Sequence, residues 1–226
     1  RLFVNREQML DRLMKTAEAM PSAVFEIGSN SDLILENTIT DNLLWTIPRF
    51  AAREKGFLTF PTKFHMVEPL SALDHRGRVI FRMSVNPETL IRRVEFGTSS
   101  LDSRIWAANT MFDAGYPVGI LVAPVILIDG WKQLYEELFT QLADRLSERL
   151  KRQLKLEIIL MTYSNIHRFI NEEAFPNAVK LYDREQMTGR ARGKFGYKPE
   201  LRREAEEFLR NQAAQKLPDA HIVYIS

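Results

Sequence analysis

Apolar side chains fall into two rhythms along this chain. Short continuous runs occur at Val24-Phe25-Glu26-Ile27, Phe57-Leu58-Thr59-Phe60, Val79-Ile80-Phe81-Arg82-Met83 and Val118-Gly119-Ile120-Leu121-Val122. Each is followed by small or polar residues, the pattern of a buried parallel strand. The spacing predicts strands at 23–28, 57–62, 79–85, 117–123 and 155–161, with a last one at 221–225. Between them the period shifts to that of helices. Met9, Leu10, Leu13 and Met14 share one helical face, Asn5 is positioned as an N-cap, and Pro21 stops the helix. Further helices are expected at 40–54, with a break or kink at Pro48, at 66–73, at a short turn after Pro87, and at 101–113, 130–152, 165–174 and 199–214.

Strands alternating with helices define an α/β chain with a parallel sheet. Five such strands suit a partial barrel or an open doubly wound sheet, whereas a complete eight-stranded barrel needs about 250 residues. In either case the C-terminal strand ends converge on the ligand-binding face. Ser31, Lys63, Ser84 and Ala123 follow or close the four apolar runs and are the candidates to line one site. Lys63 is notable because an ammonium at the end of an apolar run is costly unless paired. Asp32, Glu26 or a ligand carboxylate could be that partner.

Composition narrows the chemistry. With 45% hydrophobic and 27% charged residues, the chain has the balance of a globular protein, and no apolar run approaches a membrane span of roughly 20 residues. No membrane association and a cytoplasmic location are expected. The chain starts on Arg1 rather than Met, as expected of a fragment or processed product. There is no cysteine, so these residues offer no disulfide, thiolate nucleophile or cysteine-bound cluster. His65, His75, His167 and His221 lack metal-ligand spacing. No Gly-x-Ser-x-Gly elbow, Gly-x-Gly-x-x-Gly fingerprint or Walker loop occurs. Gly97-Thr98-Ser99-Ser100 resembles a phosphate loop in composition only.

The net charge of +2 hides an uneven distribution. Residues 184–203 hold seven basic side chains against Glu185 and Glu200, a local +5. Within them Arg190, Arg192 and Lys194 are spaced two apart, with Phe195 and Tyr197 interleaved and Gly189, Gly193 and Gly196 around them. A period of two puts the cations on one face of an extended hairpin and the aromatics on the other. Such a segment is either a solvated loop or a phosphate-binding arm.

The strings Phe81-Arg82-Met83-Ser84-Val85-Asn86, Glu95-Phe96-Gly97-Thr98-Ser99-Ser100-Leu101-Asp102-Ser103-Arg104 and Ala114-Gly115-Tyr116-Pro117-Val118-Gly119-Ile120-Leu121-Val122-Ala123-Pro124 resemble the spore photoproduct lyase family. Gly130-Trp131, Tyr135-Glu136-Glu137-Leu138-Phe139, Ser31-Asp32 and Thr62-Lys63 continue the resemblance. That family belongs to the radical S-adenosylmethionine enzymes. The resemblance implies a partial (β/α)6 barrel of TIM type over residues 1–180, with a C-terminal basic hairpin and helix appendage over 181–226. It implies S-adenosylmethionine as cofactor, a [4Fe–4S] cluster on a three-cysteine loop that these residues do not contain, and an electron donor such as flavodoxin or ferredoxin. A 5′-deoxyadenosyl radical abstracts hydrogen from a cross-linked thymine dimer in DNA and reverses it. By position, Ser31, Lys63 and Ser84 would hold the amino-acid end of the cofactor and Ala123 would border its nucleoside. Ser29 stands where the family's hydrogen-donating cysteine would be, and its stronger O–H bond makes it a poor donor. Arg190, Arg192, Lys194 and Tyr197 would meet DNA. The rival expectation is a non-catalytic nucleic-acid-binding or scaffold relative that has lost the cluster.

Overall fold

The computed structural model describes residues 5–28, 31–181, 183–190 and 193–226. Helix α1 (Arg6–Ala19) leads into β1 (Val24–Glu26), α2 (Leu33–Glu36), α3 (Asn42–Ala51) and β2 (Phe57–Thr62). A 3-10 turn (Glu68–Leu70) precedes β3 (Val79–Val85), α4 (Glu88–Val94), α5 (Leu101–Asp113) and β4 (Val118–Val125). Then come α6 (Trp131–Arg145), α7 (Glu148–Lys151), β5 (Lys155–Leu160), β6 (Thr162–Ser164) and α8 (Asn165–Ala174). The chain closes with β7 (Met187–Arg190), β8 (Lys194–Tyr197), α9 (Pro199–Lys216) and β9 (His221–Ile225). Six strands form one sheet in the order β1-β2-β3-β4-β5-β9, and β6-β8-β7 form a second.

The chain divides into two compact units, 1–84 with 102–120, and 85–101 with 121–226. In the first, β1, β2 and β3 pair in parallel, and the strands bury Leu58, Phe60, Phe81 and Met83. Alternate polar positions are few because helices cover the sheet. Phe60 and Phe81 meet edge to face at 6.1 Å, and Phe25 meets Phe50 of α3 at 6.3 Å. His75 is stacked on Tyr116 with ring centroids 3.7 Å apart, and the Tyr116 hydroxyl donates to the Leu70 carbonyl at 2.8 Å.

In the second unit, β9 pairs with β5 in parallel, so the stretch expected as a C-terminal appendage supplies a strand of the main sheet. Its hairpin and helix are present as β7, β8 and α9. Trp131 of α6 meets Phe208 of α9 edge to face at 5.1 Å. Asn86 and Tyr135 form a buried polar network here. Asn86 donates through Nδ2 to Glu95 at 2.8 Å and to the Pro124 carbonyl at 3.0 Å, while the Tyr135 hydroxyl donates to Asn86 Oδ1 at 3.2 Å and accepts from Ile126 N–H at 2.8 Å.

Local physics moves some element boundaries. The helix expected over 130–152 stops at Arg145, because Leu146 is extended and the Ser147 hydroxyl caps a new turn by accepting from Leu150 N–H at 3.3 Å. The helix expected at 66–73 shortens to a single 3-10 turn, Glu68–Leu70, with Pro69 in its first turn. Strand β6 has only three residues and was not expected. Its pairing with β8 comes from distant sequence.

Tyr197 links the small sheet to the loop after β4. It is buried, and its hydroxyl accepts from Leu127 N–H at 2.8 Å. Burial pushes the phenol up to about 12 from its ordinary value of 10. Because the folded state holds this proton more tightly, the contribution to stability is complete below pH 10 and is lost as pH rises through about 12. Ultraviolet titration should show this phenol ionising only as the fold is lost. Tyr197→Phe should lower the urea-unfolding free energy by about 1–3 kcal/mol, because the Leu127 N–H loses its acceptor.

Candidate active site

The donor set lies at the C-terminal ends of the first three strands. After β1 the chain turns at Gly28, whose φ of 79° suits glycine, and a Cβ there would stand 2.6 Å from Leu33 Cγ. The turn delivers half-buried Ser31, whose N–H donates to the Gly28 carbonyl at 3.1 Å, and then Asp32. The Asp32 carboxylate caps α2 by accepting from Ile34 N–H at 3.0 Å and Leu35 N–H at 3.2 Å. The same carboxylate accepts from the Thr62 hydroxyl at 2.8 Å and from Lys63 N–H at 2.9 Å. It therefore fastens the loop after β1 to the end of β2. Asp32 holds Lys63 by its backbone N–H, so this carboxylate fixes where the lysine stem leaves the strand.

The parallel register ends with the pair Thr62 and Met83, and Lys63 and Ser84 follow it on adjacent strands. Ser84 is buried. Its carbonyl accepts from Arg104 Nη1 at 3.0 Å, and Arg104 is fully buried in α5. The arginine that closes the Gly-Thr-Ser-Ser-Leu-Asp-Ser-Arg string thus anchors the end of β3. Ser31, Lys63 and Ser84 follow or close three successive strands, β1, β2 and β3.

These groups fit the amino-acid end of S-adenosylmethionine. An ammonium and two hydroxyls offer charge and hydrogen bonds to a zwitterion's carboxylate and amine. A cavity of about 410 Å³ opens beside Ser31, lined also by Gly28, Leu33, Glu36 and Thr46; Lys63 and Ser84 are not part of its lining. Ala123 lies in the second unit. It is half-buried at the end of β4, and its cis bond leads to Pro124, whose carbonyl Asn86 holds. Ser29 and Arg192 fall outside the described residues.

Strands β7 and β8 form the expected hairpin. Arg190 is directly opposite Lys194, so these two cations share a face, and Phe195 is opposite Gly189 on the other. Arg190 lies across Gly196, where a Cβ would come within 2.6 Å of its Nε. Tyr197 does not join an exposed DNA-facing surface: it is buried, with its hydroxyl engaged by Leu127 N–H. Among the described residues, no group of three or more His, Asp or Glu side chains could hold a metal ion. No helix among them is long and apolar enough to cross a membrane.

Polar side chains gathered at the C-terminal ends of parallel strands define an α/β protein of the class that binds its ligand at that edge of the sheet. The comparisons identify the family. The spore photoproduct lyase family model matches residues 1–226. The spore photoproduct lyase of Bacillus subtilis (strain 168) is 32% identical over 232 residues, spanning 100% of this chain and 68% of that protein. That of Geobacillus sp. (strain Y412MC61) is 32% identical with the same coverage. A solved double mutant of spore photoproduct lyase with bound AdoMet and dinucleoside spore photoproduct superposes with a TM-score of 0.93 at 31% identity, covering 100% of this chain and 68% of that one. A second structure, of the lyase complexed with dinucleoside spore photoproduct, matches equally well. The chain belongs to the spore photoproduct lyase family, and its fold is the partial barrel of parallel strands.

Asp32 and Arg104 are the residues whose roles the sequence pattern did not reveal. Asp32→Ala should lower stability by roughly 2–3 kcal/mol, because it strands buried donors on Thr62 and Lys63. The cost should appear in urea unfolding, alongside weaker binding of S-adenosylmethionine by calorimetry. Arg104→Met should likewise destabilise by about 2–3 kcal/mol, since the lost hydrogen bond comes from a charged, buried donor.

Proposed function

We propose that this protein is a DNA-repair lyase of the spore photoproduct type, which uses S-adenosylmethionine to return a cross-linked thymine dimer to two thymines. The carrying observation is the Ser31, Lys63 and Ser84 donor set at neighbouring strand ends in a chain of this family. When bound, S-adenosylmethionine supplies the radical chemistry. The chain's own residues bind and orient. Lys63 takes the carboxylate of the cofactor, and the Ser31 and Ser84 hydroxyls share its polar groups. Asp32 and Arg104 hold the backbone from which Lys63 and Ser84 project. Ala123 is assigned to the nucleoside. No cysteine occurs in these 226 residues, so the ligands of the family's [4Fe–4S] cluster are not among them. A flavodoxin or ferredoxin would deliver the electron, and the cytoplasm, where DNA lies, is the assigned location.

The hairpin is assigned to the phosphates of the lesion strand. Two like charges placed directly opposite repel each other unless an anion lies between them. Arg190 and Lys194 are such a pair, and Arg192 belongs to the same segment. Tyr197 supports the hairpin from inside rather than touching DNA.

The direct test uses protein expressed from its complete reading frame, a low-potential reductant, S-adenosylmethionine and an oligonucleotide carrying the photoproduct. Mass spectrometry should show the lesion converted to two thymines, and no conversion would overturn the lyase reading. Lys63→Ala should weaken cofactor binding by roughly 10- to 100-fold in calorimetry, the worth of a hydrogen bond to a charged group. Changing Arg190, Arg192 and Lys194 together to alanine should make the salt dependence of duplex binding shallower by about two to three in log–log slope.

A further inference from the structure

A second cleft lies wholly within the unit formed by 85–101 and 121–226, outside the strand-end donor set. Its volume is about 540 Å³. It is walled by the end of α4, the loop after it, β6, α8 and the segment that follows α8. Two aromatic rings dominate it. Phe96 and Phe175 are 53% and 51% exposed, unusual for phenylalanine. They come from positions far apart in sequence yet stand with centroids 5.6 Å apart and planes tilted by 32°. The pair is tilted rather than parallel, and about half of each residue is open to solvent, so a further flat ring can be laid against it.

The charge of the lining is one-sided. Arg93, Arg168, Lys180 and Arg184 line the cleft, against the single carboxylate of Glu172. Glu172 is paired with Arg168 at 3.8 Å on α8. Arg93, Lys180 and Arg184 are exposed around the aromatic pair. Open aromatic faces ringed by cations match one chemistry, a base that stacks and a phosphate that is neutralised. A paired base has its faces covered by its neighbours, so the fit is to an unpaired nucleotide.

We propose that this cleft binds an unpaired nucleotide of the DNA strand flanking the lesion, its base continuing the stack of Phe96 and Phe175 and its phosphates meeting Arg93, Lys180 and Arg184. The proposal rests on the reading of DNA as substrate and adds a second anchoring point to it. It assigns roles to Arg184 of the basic segment and to Phe175, the C-cap of α8, neither of which the cofactor site uses. An enzyme working on a lesion base has reason to hold the unstacked strand beside it.

The test is fluorescence anisotropy with a labelled single-stranded thymidine oligonucleotide lacking any lesion, run beside binding of the isolated dinucleoside photoproduct. The protein is expressed from its complete reading frame. Changing Phe96 and Phe175 together to alanine should weaken oligonucleotide binding at least about fivefold, the lower limit for losing one base stack. Phe96→Trp should keep or strengthen it. Changing Arg93 and Lys180 to alanine should make the salt slope shallower by about 1.4, at roughly 0.7 per phosphate contact on a single strand. Binding of the dinucleoside, which has no flanking nucleotide, should not change in any of these variants. Because the rings and cations are exposed, all variants should melt with the wild type. Unchanged oligonucleotide affinity in the Phe96 and Phe175 double variant would overturn the proposal. So would equal competition by a glutamate-rich peptide with no dependence on the rings, which would assign the cations to an acidic protein. If the wild type converts the lesion while the cleft variants bind oligonucleotide normally, the cleft falls and the lyase reading stands. If lesion conversion fails while the cleft variants lose oligonucleotide affinity, the reverse holds.

Discussion

The position of Lys63 at the end of β2 depends on one carboxylate. Asp32 accepts hydrogen bonds from two N–H groups of α2, from the Thr62 hydroxyl and from the Lys63 N–H. A carboxylate has about four acceptor positions, and this one uses them to join two strand ends separated by thirty residues. Parallel strands need long crossovers, so their ends are not joined by short turns. A side-chain clasp of this kind supplies the rigidity that a hairpin gives an antiparallel pair. It lets Lys63 project from a fixed backbone instead of a mobile loop.

A buried arginine does the matching work one strand further on. Arg104 is inaccessible to solvent and donates to the carbonyl of Ser84, so the charge is placed under the site rather than within it. A buried guanidinium is tolerated only when its donors are satisfied. The second unit uses neutral groups for the same purpose, with Asn86 and Tyr135 tying the loop after β4 to the loop after β3.

Much of this was legible from residue order. Continuous apolar runs gave five strands of the main sheet and the last strand at the C-terminus, and the bounds of α8 matched the expected 165–174. A short apolar run rich in β-branched and aromatic residues and bounded by Gly or Pro favours a buried strand, so its end is readable without knowing its neighbours. The period of two around Arg190 and Lys194 likewise survived, because side-chain alternation is a property of an extended backbone itself. Tyr197 obeyed that alternation too, but which face would be covered was not written there. Its burial follows from the Leu127 N–H that it accepts.

Residue order by itself determined the succession of strands and helices, the absence of thiolates, and the small set of polar residues at strand ends. These follow from local periodicity and chemical identity, which need no partner. Tertiary structure decided the rest. It made Asp32 a clasp and not only an N-cap, placed Arg104 beneath Ser84, brought β9 alongside β5, and set Phe96 against Phe175. Each of these joins residues far apart in sequence. A carboxylate, an arginine or a phenylalanine has several satisfactory partners, and only the packed chain selects one of them.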